Sequence, residues 1–89
     1  MTTETRAQVI KQLQPVLSRV SNGRAKVDHL AEDARIIEDI GLASLDLLEL
    51  RFELETAWNA TITDQEAISL KTIGDVVNIV LEKSTRNAP

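Results

Sequence analysis

Residues 41–50 read GLASLDLLEL, and within them Ser44 stands where an irregular segment gives way to a strongly patterned, acidic stretch. A serine is common at the start of a helix, because its hydroxyl accepts a hydrogen bond from a free backbone amide. The same place suits a phosphate, since the first helical turn offers amide donors and the positive end of the helix dipole. The pattern therefore predicts either a capping serine or a serine that carries a phosphate-linked group.

Residues 44–58 are predicted to form a helix whose apolar side chains fall into two stripes. The core stripe, which would dock on the rest of the protein, comprises Leu47, Leu50, Leu54, Ala57 and Trp58. The outer stripe comprises Leu45, Leu48 and Phe52, and an acidic ridge of Asp46, Glu49 and Glu53 lies between the two. One apolar face is enough to dock a helix, so we interpret the outer stripe and the acidic ridge as a partner-binding surface. The alternative is a helix that is buried on two sides.

Before this helix, residues 3–20 carry apolar side chains at three- and four-residue steps and are predicted to be helical. Thr2 or Thr3 would cap the start, Pro15 would kink or interrupt the helix, and residues 21–23 would end it. The irregular stretch at residues 23–43 is predicted to be a long loop with a short helical turn near residues 33–38. The apolar side chains that would pin this loop on the core are Val27, Leu30, Ile36, Ile37 and Ile40.

Two further helices are predicted after the acidic one. A short helix covers residues 64–68, with Ile62 pointing inward before it, and a last helix covers residues 72–82. Thr72 and Asp75 are spaced as a capping pair, and the apolar face consists of Ile73, Val76, Val77 and Val80. The prediction is an all-α, four-helix bundle with a long first loop and a short third helix. It forms a single domain over residues 1–89, with a core at about residues 3–82 and a flexible tail at residues 83–89.

Composition narrows the possible functions. The chain has 89 residues, no cysteine, one histidine and a net charge of −4. Between Glu38 and Glu66 there are eight acidic residues, and Arg51 is the single basic one. Such an excess of negative charge repels nucleic acid and anionic lipid and attracts basic protein surfaces. With no signal-peptide-like or membrane-spanning segment, we expect a cytoplasmic monomer that binds neither nucleic acid nor membrane.

The motif around Ser44 resembles the attachment site of acyl carrier proteins. The resemblance runs from about residue 38 to about residue 80 and includes EDIGL at 38–42, SLD at 44–46, DQEA at 64–67 and TI at 72–73. It implies the same four-helix fold, and it implies that Ser44 carries 4'-phosphopantetheine, whose thiol holds the acyl group. It also implies an expandable apolar pocket for the acyl chain. The implied partners are a phosphopantetheinyl transferase and acyl-transferring or synthase enzymes with basic surfaces.

Two positions depart from the family pattern. Ala43 replaces the aspartate that usually precedes the attachment serine, and Arg51 replaces a residue that is usually small or apolar. The family's aspartate is associated with the metal-dependent transferase, so Ala43 leaves the modifying transferase open. Both departures favour a specialised carrier over the housekeeping fatty-acid one. The expected pathway is a fatty-acid pathway or a specialised acyl or polyketide pathway. An aminoacyl or peptidyl carrier is the alternative within the family.

Other chemistry is poorly supported by the sequence. A hydrolytic role for Ser44 would need a base, and the single histidine, His29, has no evident acid partner. We therefore interpret His29 as a loop residue and expect no enzyme activity. The acidic ridge is not expected to form a metal site, because helix-surface acids at such spacings bind divalent cations weakly. An unmodified helical interaction module that uses the outer stripe is the alternative from another class.

Overall fold

The computed structural model describes residues 5–28 and 30–87, with side chains described up to residue 83. In these ranges the chain forms four α-helices and no strand. The helices are α1 (Arg6–Val20), α2 (Asp46–Trp58), α3 (Asp64–Ile68) and α4 (Ile73–Asn87). The predicted all-α, four-helix bundle with a long first loop and a short third helix is confirmed. None of these helices combines the length and the apolarity needed to cross a bilayer.

The start of α1 differs from the prediction. Thr5, and neither Thr2 nor Thr3, is the capping residue: its hydroxyl accepts from the Gln8 amide, and the Gln8 side chain accepts from the Thr5 amide. This reciprocal pair satisfies two amides that a helix start otherwise leaves without partners. Thr2 and Thr3 themselves lie outside the described residues.

The middle of α1 also departs from expectation, because the helix continues through Pro15 without interruption. The proline is exposed, while Leu13, Val16 and Leu17 on either side are buried. Packing of this face on the core therefore outweighs the loss of one backbone hydrogen bond. The predicted stop is confirmed: Asn22 and Gly23 have φ values of 57° and 83°, the left-handed conformation that commonly ends helices.

The long connection between α1 and α2 is held against the start of α4. The amide of Ile36 donates to the Lys71 carbonyl at 2.9 Å, and the amide of Gly74 donates to the Glu32 carbonyl at 2.8 Å. A π-helical turn at Ile36–Ile40 replaces the turn predicted near residues 33–38. Its Ile36 and Ile40 are buried, but Ile37 is 42% exposed. The prediction that Ile37 anchors the loop is therefore wrong, because the turn directs Ile36 and Ile40 inward and Ile37 outward.

The core lies among α1, α2 and α4. From α2, Leu50, Leu54 and Trp58 are buried as predicted, and Leu47 is half-buried. Ala57, which was placed on the same stripe, is exposed, so the buried face of α2 is narrower than predicted. The predicted apolar face of α4 is confirmed, with all four side chains buried, as is the inward position of Ile62.

The bounds of α3 match the predicted ones, and α4 begins within one residue of its predicted start. Thr63 caps α3 in a reciprocal pair with Glu66, and Thr72 forms the same arrangement with Asp75 before α4. The far end of α4 is different: it extends to Asn87, five residues past the predicted end at residue 82. Lys83 pairs with Glu66 at 3.0 Å, and this contact attaches the extra turn to α3. Residues 88 and 89 of the predicted flexible tail lie outside the described residues.

Candidate functional site

Ser44 lies in an exposed turn immediately before α2. Two bonds of the i to i−3 type form this turn, from the Asp46 amide to the Ala43 carbonyl at 3.0 Å and from the Leu47 amide to the Ser44 carbonyl at 3.2 Å. The Ser44 hydroxyl takes part in none of the hydrogen bonds found within the described ranges, and α2 has no side-chain cap. Of the two roles that the sequence allowed for this serine, capping is therefore excluded.

The backbone around Ser44 offers donors to an anion. Within the part of the chain that the structure describes, the amides of Ser44 and Leu45 have no hydrogen-bond partner. They belong to a turn that continues into a 13-residue helix, whose positive dipole end lies there. A phosphate on the serine oxygen would therefore meet free donors and a favourable field.

Asp46 holds this turn in place. Its carboxylate accepts from the backbone amide of Ala43 at 2.9 Å and from the guanidinium of Arg24 at 2.9 Å. The hydrogen bond from Ala43, followed by that from Arg24, lowers the pKa of Asp46 below its ordinary value. Asp46 is thus half-buried, and its carboxylate is already bonded to Ala43 and Arg24. The sequence predicted instead that Asp46 contributes to the partner-binding surface.

The other two acids of the ridge, Glu49 and Glu53, differ in whether they form an ion pair. Glu53 is half-buried and pairs with Arg19 of α1 at 2.6 Å. Glu49 is exposed and forms no ion pair with any residue that the structure describes. Of the three acids, Glu49 alone keeps the free surface charge that the partner-binding hypothesis assigned to the whole ridge.

The outer stripe is exposed, as predicted. Leu45, Leu48 and Phe52 are 77%, 67% and 67% accessible to solvent. The alternative of a helix buried on two sides is therefore wrong. Ile68 of α3, which is 71% exposed, extends this apolar surface across to the third helix. Sequence reasoning missed Ile68, because a five-residue helix is too short for its periodicity to show which face is outward.

An apolar groove lies between α2 and α3, beside Ser44. It has a volume of about 210 Å³. Its walls are formed by Ser44, Leu47, Leu48, Leu50, Arg51, Ala67, Ile68 and Leu70. A neighbouring cavity of about 370 Å³ shares Leu47, Ala67, Ile68 and Leu70 and reaches the π-helical turn. An alkyl chain attached through Ser44 would therefore find apolar walls within the same part of the protein.

Arg51 is the feature of this groove that the sequence marked as unusual. Its guanidinium donates to the carboxylate of Asp64 at 2.5 Å and to the backbone carbonyl of Ile62. These bonds join α2 to the segment that leads into α3. Sequence reasoning noted Arg51 as a departure from the family but did not place it in the groove, because its position depends on the packing of α3.

The remaining candidates add no chemistry to the site. His29 lies outside the described residues. In the ranges 5–28 and 30–87, no three acidic or histidine side chains converge as a metal site would require. The arrangement at Ser44 therefore consists of an exposed hydroxyl, two free amides and an apolar groove, a set that fits attachment of a phosphate-linked arm with an acyl chain.

Comparisons with known proteins agree with this description. A scan against models of protein families finds no match. The chain is 40% identical over 58 residues to the acyl carrier protein of Borreliella burgdorferi strain ZS7, covering 65% of this chain and 72% of that protein. It is 34% identical over 61 residues to the acyl carrier protein of Rickettsia bellii strain RML369-C, covering 68% and 71%.

A solved structure extends the similarity to the whole fold. The crystal structure of an acyl carrier protein from Thermotoga maritima superposes with a TM-score of 0.82 and covers 93% of this chain and 94% of that one. Its sequence identity is 20%, so this match speaks for the fold alone. The sequence relatives and the fold agree, and the chain belongs to the acyl carrier protein family.

Proposed function

We propose that this protein carries acyl groups as thioesters on a 4'-phosphopantetheine arm attached to the hydroxyl of Ser44. The observation that carries the proposal is the exposed, unbonded hydroxyl of Ser44 in a turn with free amides, directly beside an apolar groove. Membership of the family gives the chain the role of an acyl carrier, which is not an enzyme. The proposal adds the attachment residue and the way in which this chain supports it.

In this proposal the arm and the protein have separate tasks. The arm supplies the thiol on which the acyl group is held as a thioester. The amides of Ser44 and Leu45 donate to the phosphate, and the start of α2 stabilises its charge. Asp46 fixes the turn through its hydrogen bond from Ala43. The groove between α2 and α3 takes the acyl chain out of water, which favours binding in proportion to the apolar area that is covered.

The lining of the groove favours acyl over aminoacyl cargo. Apart from Ser44 and Arg51 its walls consist of leucine, isoleucine and alanine side chains. Such walls stabilise a hydrocarbon chain, whereas the charged amino group of an aminoacyl cargo would lose hydration there without a partner. We therefore propose that the cargo consists of acyl intermediates of a fatty-acid, specialised acyl or polyketide pathway. We also propose that the carrier is a cytoplasmic monomer.

Partner enzymes would contact the surface next to the arm. The outer stripe and Ile68 form an exposed apolar patch on both sides of the groove, and Glu49 adds a free negative charge. A basic partner surface would be attracted by the charge and then cover the apolar side chains. The proposed partners are a phosphopantetheinyl transferase and acyl-transferring or synthase enzymes.

The test is attachment of the arm in vitro. Unmodified protein is incubated with coenzyme A and a broad-specificity phosphopantetheinyl transferase, and its intact mass is measured beside a well-behaved carrier as positive control. Ser69, an exposed serine at the end of α3, provides the matched control substitution. The wild type and Ser69→Ala should gain one arm, and Ser44→Ala should gain none. A gain by Ser44→Ala, or no gain by the wild type while the control carrier is loaded, would contradict the proposal.

A further inference from the structure

We propose that Arg51 selects the cargo by restricting the groove beside Ser44 to short acyl chains. This inference rests on the proposed function, since it concerns the chain that the Ser44 arm would carry. It starts from the composition of the groove walls. Of the eight residues that line the groove, Arg51 is the one that carries a charge. Its side chain is 28% exposed, so most of this side chain is packed against the protein beside the groove.

The guanidinium is held by two acceptors, one just before α3 and one at its start. Asp64, at the first position of α3, and the carbonyl of Ile62 receive its hydrogen bonds. Ile62 is fully buried, so this end of the tether is attached to the core. The bond to the Ile62 carbonyl therefore keeps the guanidinium in place beside the groove.

The cost of exceeding this limit follows from desolvation. A long alkyl chain would either lie against the guanidinium or displace it from its acceptors, and a charge that faces hydrocarbon without partners is strongly unfavourable. A short chain gains the apolar contacts of Leu47, Leu48 and Ile68 without this penalty.

The neighbouring cavity combines apolar side chains, those it shares with the groove and those of Ile36 and Ile37, with charged ones. Its lining includes the charged side chains of Arg35, Glu38 and Lys71, all of them exposed. A chain that leaves the groove in that direction therefore meets polar side chains as well. Along α2, Arg51 marks the end of the groove that begins at Ser44.

The test loads the Ser44 arm with butyryl, octanoyl or myristoyl groups through hydrolysis-resistant amide links, by enzymatic transfer from the matching coenzyme A analogues. Intact mass first confirms loading, and Tm is then compared with that of the unloaded form of the same variant. In the wild type, Tm should rise by a few degrees with butyryl and gain nothing further with myristoyl. In Arg51→Leu, which places a leucine in the wall, Tm should continue to rise with chain length.

Asp64→Asn is the matched control, because it weakens the tether but leaves the guanidinium and the Ile62 carbonyl in place. It should keep the wild-type preference for short chains. Equal chain-length profiles in the wild type and Arg51→Leu, with both proteins loaded, would overturn the inference and leave the proposed function intact. A long-chain gain in Asp64→Asn equal to that in Arg51→Leu would overturn it as well. Absence of any loading at Ser44 would contradict the proposed function itself, and the inference with it.

Discussion

The carboxylate of Asp46 accepts a hydrogen bond from the backbone amide of Ala43 at 2.9 Å, across Ser44 and Leu45. This is one half of a reciprocal capping pair, in which an acid three residues into a turn binds the amide of the capping residue. The other helices in the described part of the chain have both halves, supplied by Thr5, Thr63 and Thr72. The turn at Ser44 has one half, because alanine has no acceptor.

Restoring an acceptor at position 43 should therefore stabilise the fold. The Leu45 amide has no partner among the described residues, and a capping side chain accepts from the amide two or three residues later. Ala43→Asp should raise the free energy of unfolding by about 0.5–1 kcal/mol, measured by denaturant melts. It should also speed modification by a transferase of the fatty-acid type.

Ala43→Ser is the matched control for the charge. It restores the acceptor without placing a second carboxylate near Asp46. Both substitutions should stabilise the protein, with a faster transferase reaction for Ala43→Asp alone. Destabilisation by both would show that the Leu45 amide is not available to a cap. A slower reaction of Ala43→Asp would show that alanine suits a different transferase.

The contribution of Asp46 to stability should depend on pH. Because the hydrogen bonds from Ala43 and Arg24 lower its pKa below the ordinary value of 3.8, the folded state favours the ionised carboxylate. The stabilisation is therefore fully present above the ordinary pKa and is lost as the pH falls through the lower pKa of the folded state. Asp46→Asn should be less stable than the wild type at neutral pH, and the difference should shrink in acid.

Denaturant melts across this pH range measure the effect. Glu49→Gln removes one negative charge from an exposed position with no described ion pair, so it controls for the change in net charge. A difference between the wild type and Asp46→Asn that stays constant down to acid pH would mean that the hydrogen bonds of Asp46 do not favour its ionised form.

Gly74 should resist substitution although it lies in a helix. A methyl group there would lie 3.1 Å from the backbone carbonyl oxygen of Glu32, which accepts the hydrogen bond of the Gly74 amide. Alanine normally stabilises a helix relative to glycine. Here Gly74→Ala should lower the free energy of unfolding by about 1–3 kcal/mol, because it pushes the long connection away from α4. Denaturant melts measure this directly, and a stabilised variant would show that the connection yields without cost.

Charge and apolar surface should act on different rates of partner binding. Glu49→Lys should slow association with the transferase and flatten its dependence on salt, because exposed charges steer encounters. Leu48→Ala should instead speed dissociation and leave the salt dependence nearly unchanged. Since Leu48 is 67% exposed, its substitution should change stability by no more than about 0.5 kcal/mol. Stopped-flow binding at several ionic strengths separates the two effects.

Glu53→Lys is unsuitable as a charge probe, because it would also break the ion pair with Arg19. Asp46 is excluded for the same reason, through its bonds to Ala43 and Arg24. Glu49→Lys could instead change the dissociation rate, and Leu48→Ala the association rate. That result would contradict the expectation that the charge speeds association and the apolar side chain slows dissociation.

The parts of the fold that were predictable from sequence are those determined by local periodicity. The buried face of α4 and the bounds of α3 follow from the spacing of apolar and capping residues, which act within a turn or two. The outward position of Ile37 was not predictable, since it depends on a π-helical turn held by contacts with Lys71 far along the chain.

In the candidate site, too, the features set by local sequence were predictable and those set by distant contacts were not. Ser44 and the exposed outer stripe could be identified from the motif and the helical phase. The pairing of Asp46 with Arg24 and of Glu53 with Arg19 could not, because the partners are 22 and 34 residues away. The position of Arg51 in the groove depends on how α3 packs beside α2, and no local pattern reports that packing.

The most direct test of the central claim is the mass of the protein isolated from the cells that make it. Top-down mass spectrometry of the intact chain, followed by fragmentation, shows whether a phosphopantetheine arm is present and which residue holds it. We predict a single arm, with the added mass on fragments that contain Ser44 and with acylated forms among the loaded molecules. An intact chain of unmodified mass, or an arm on any other residue, would contradict the account.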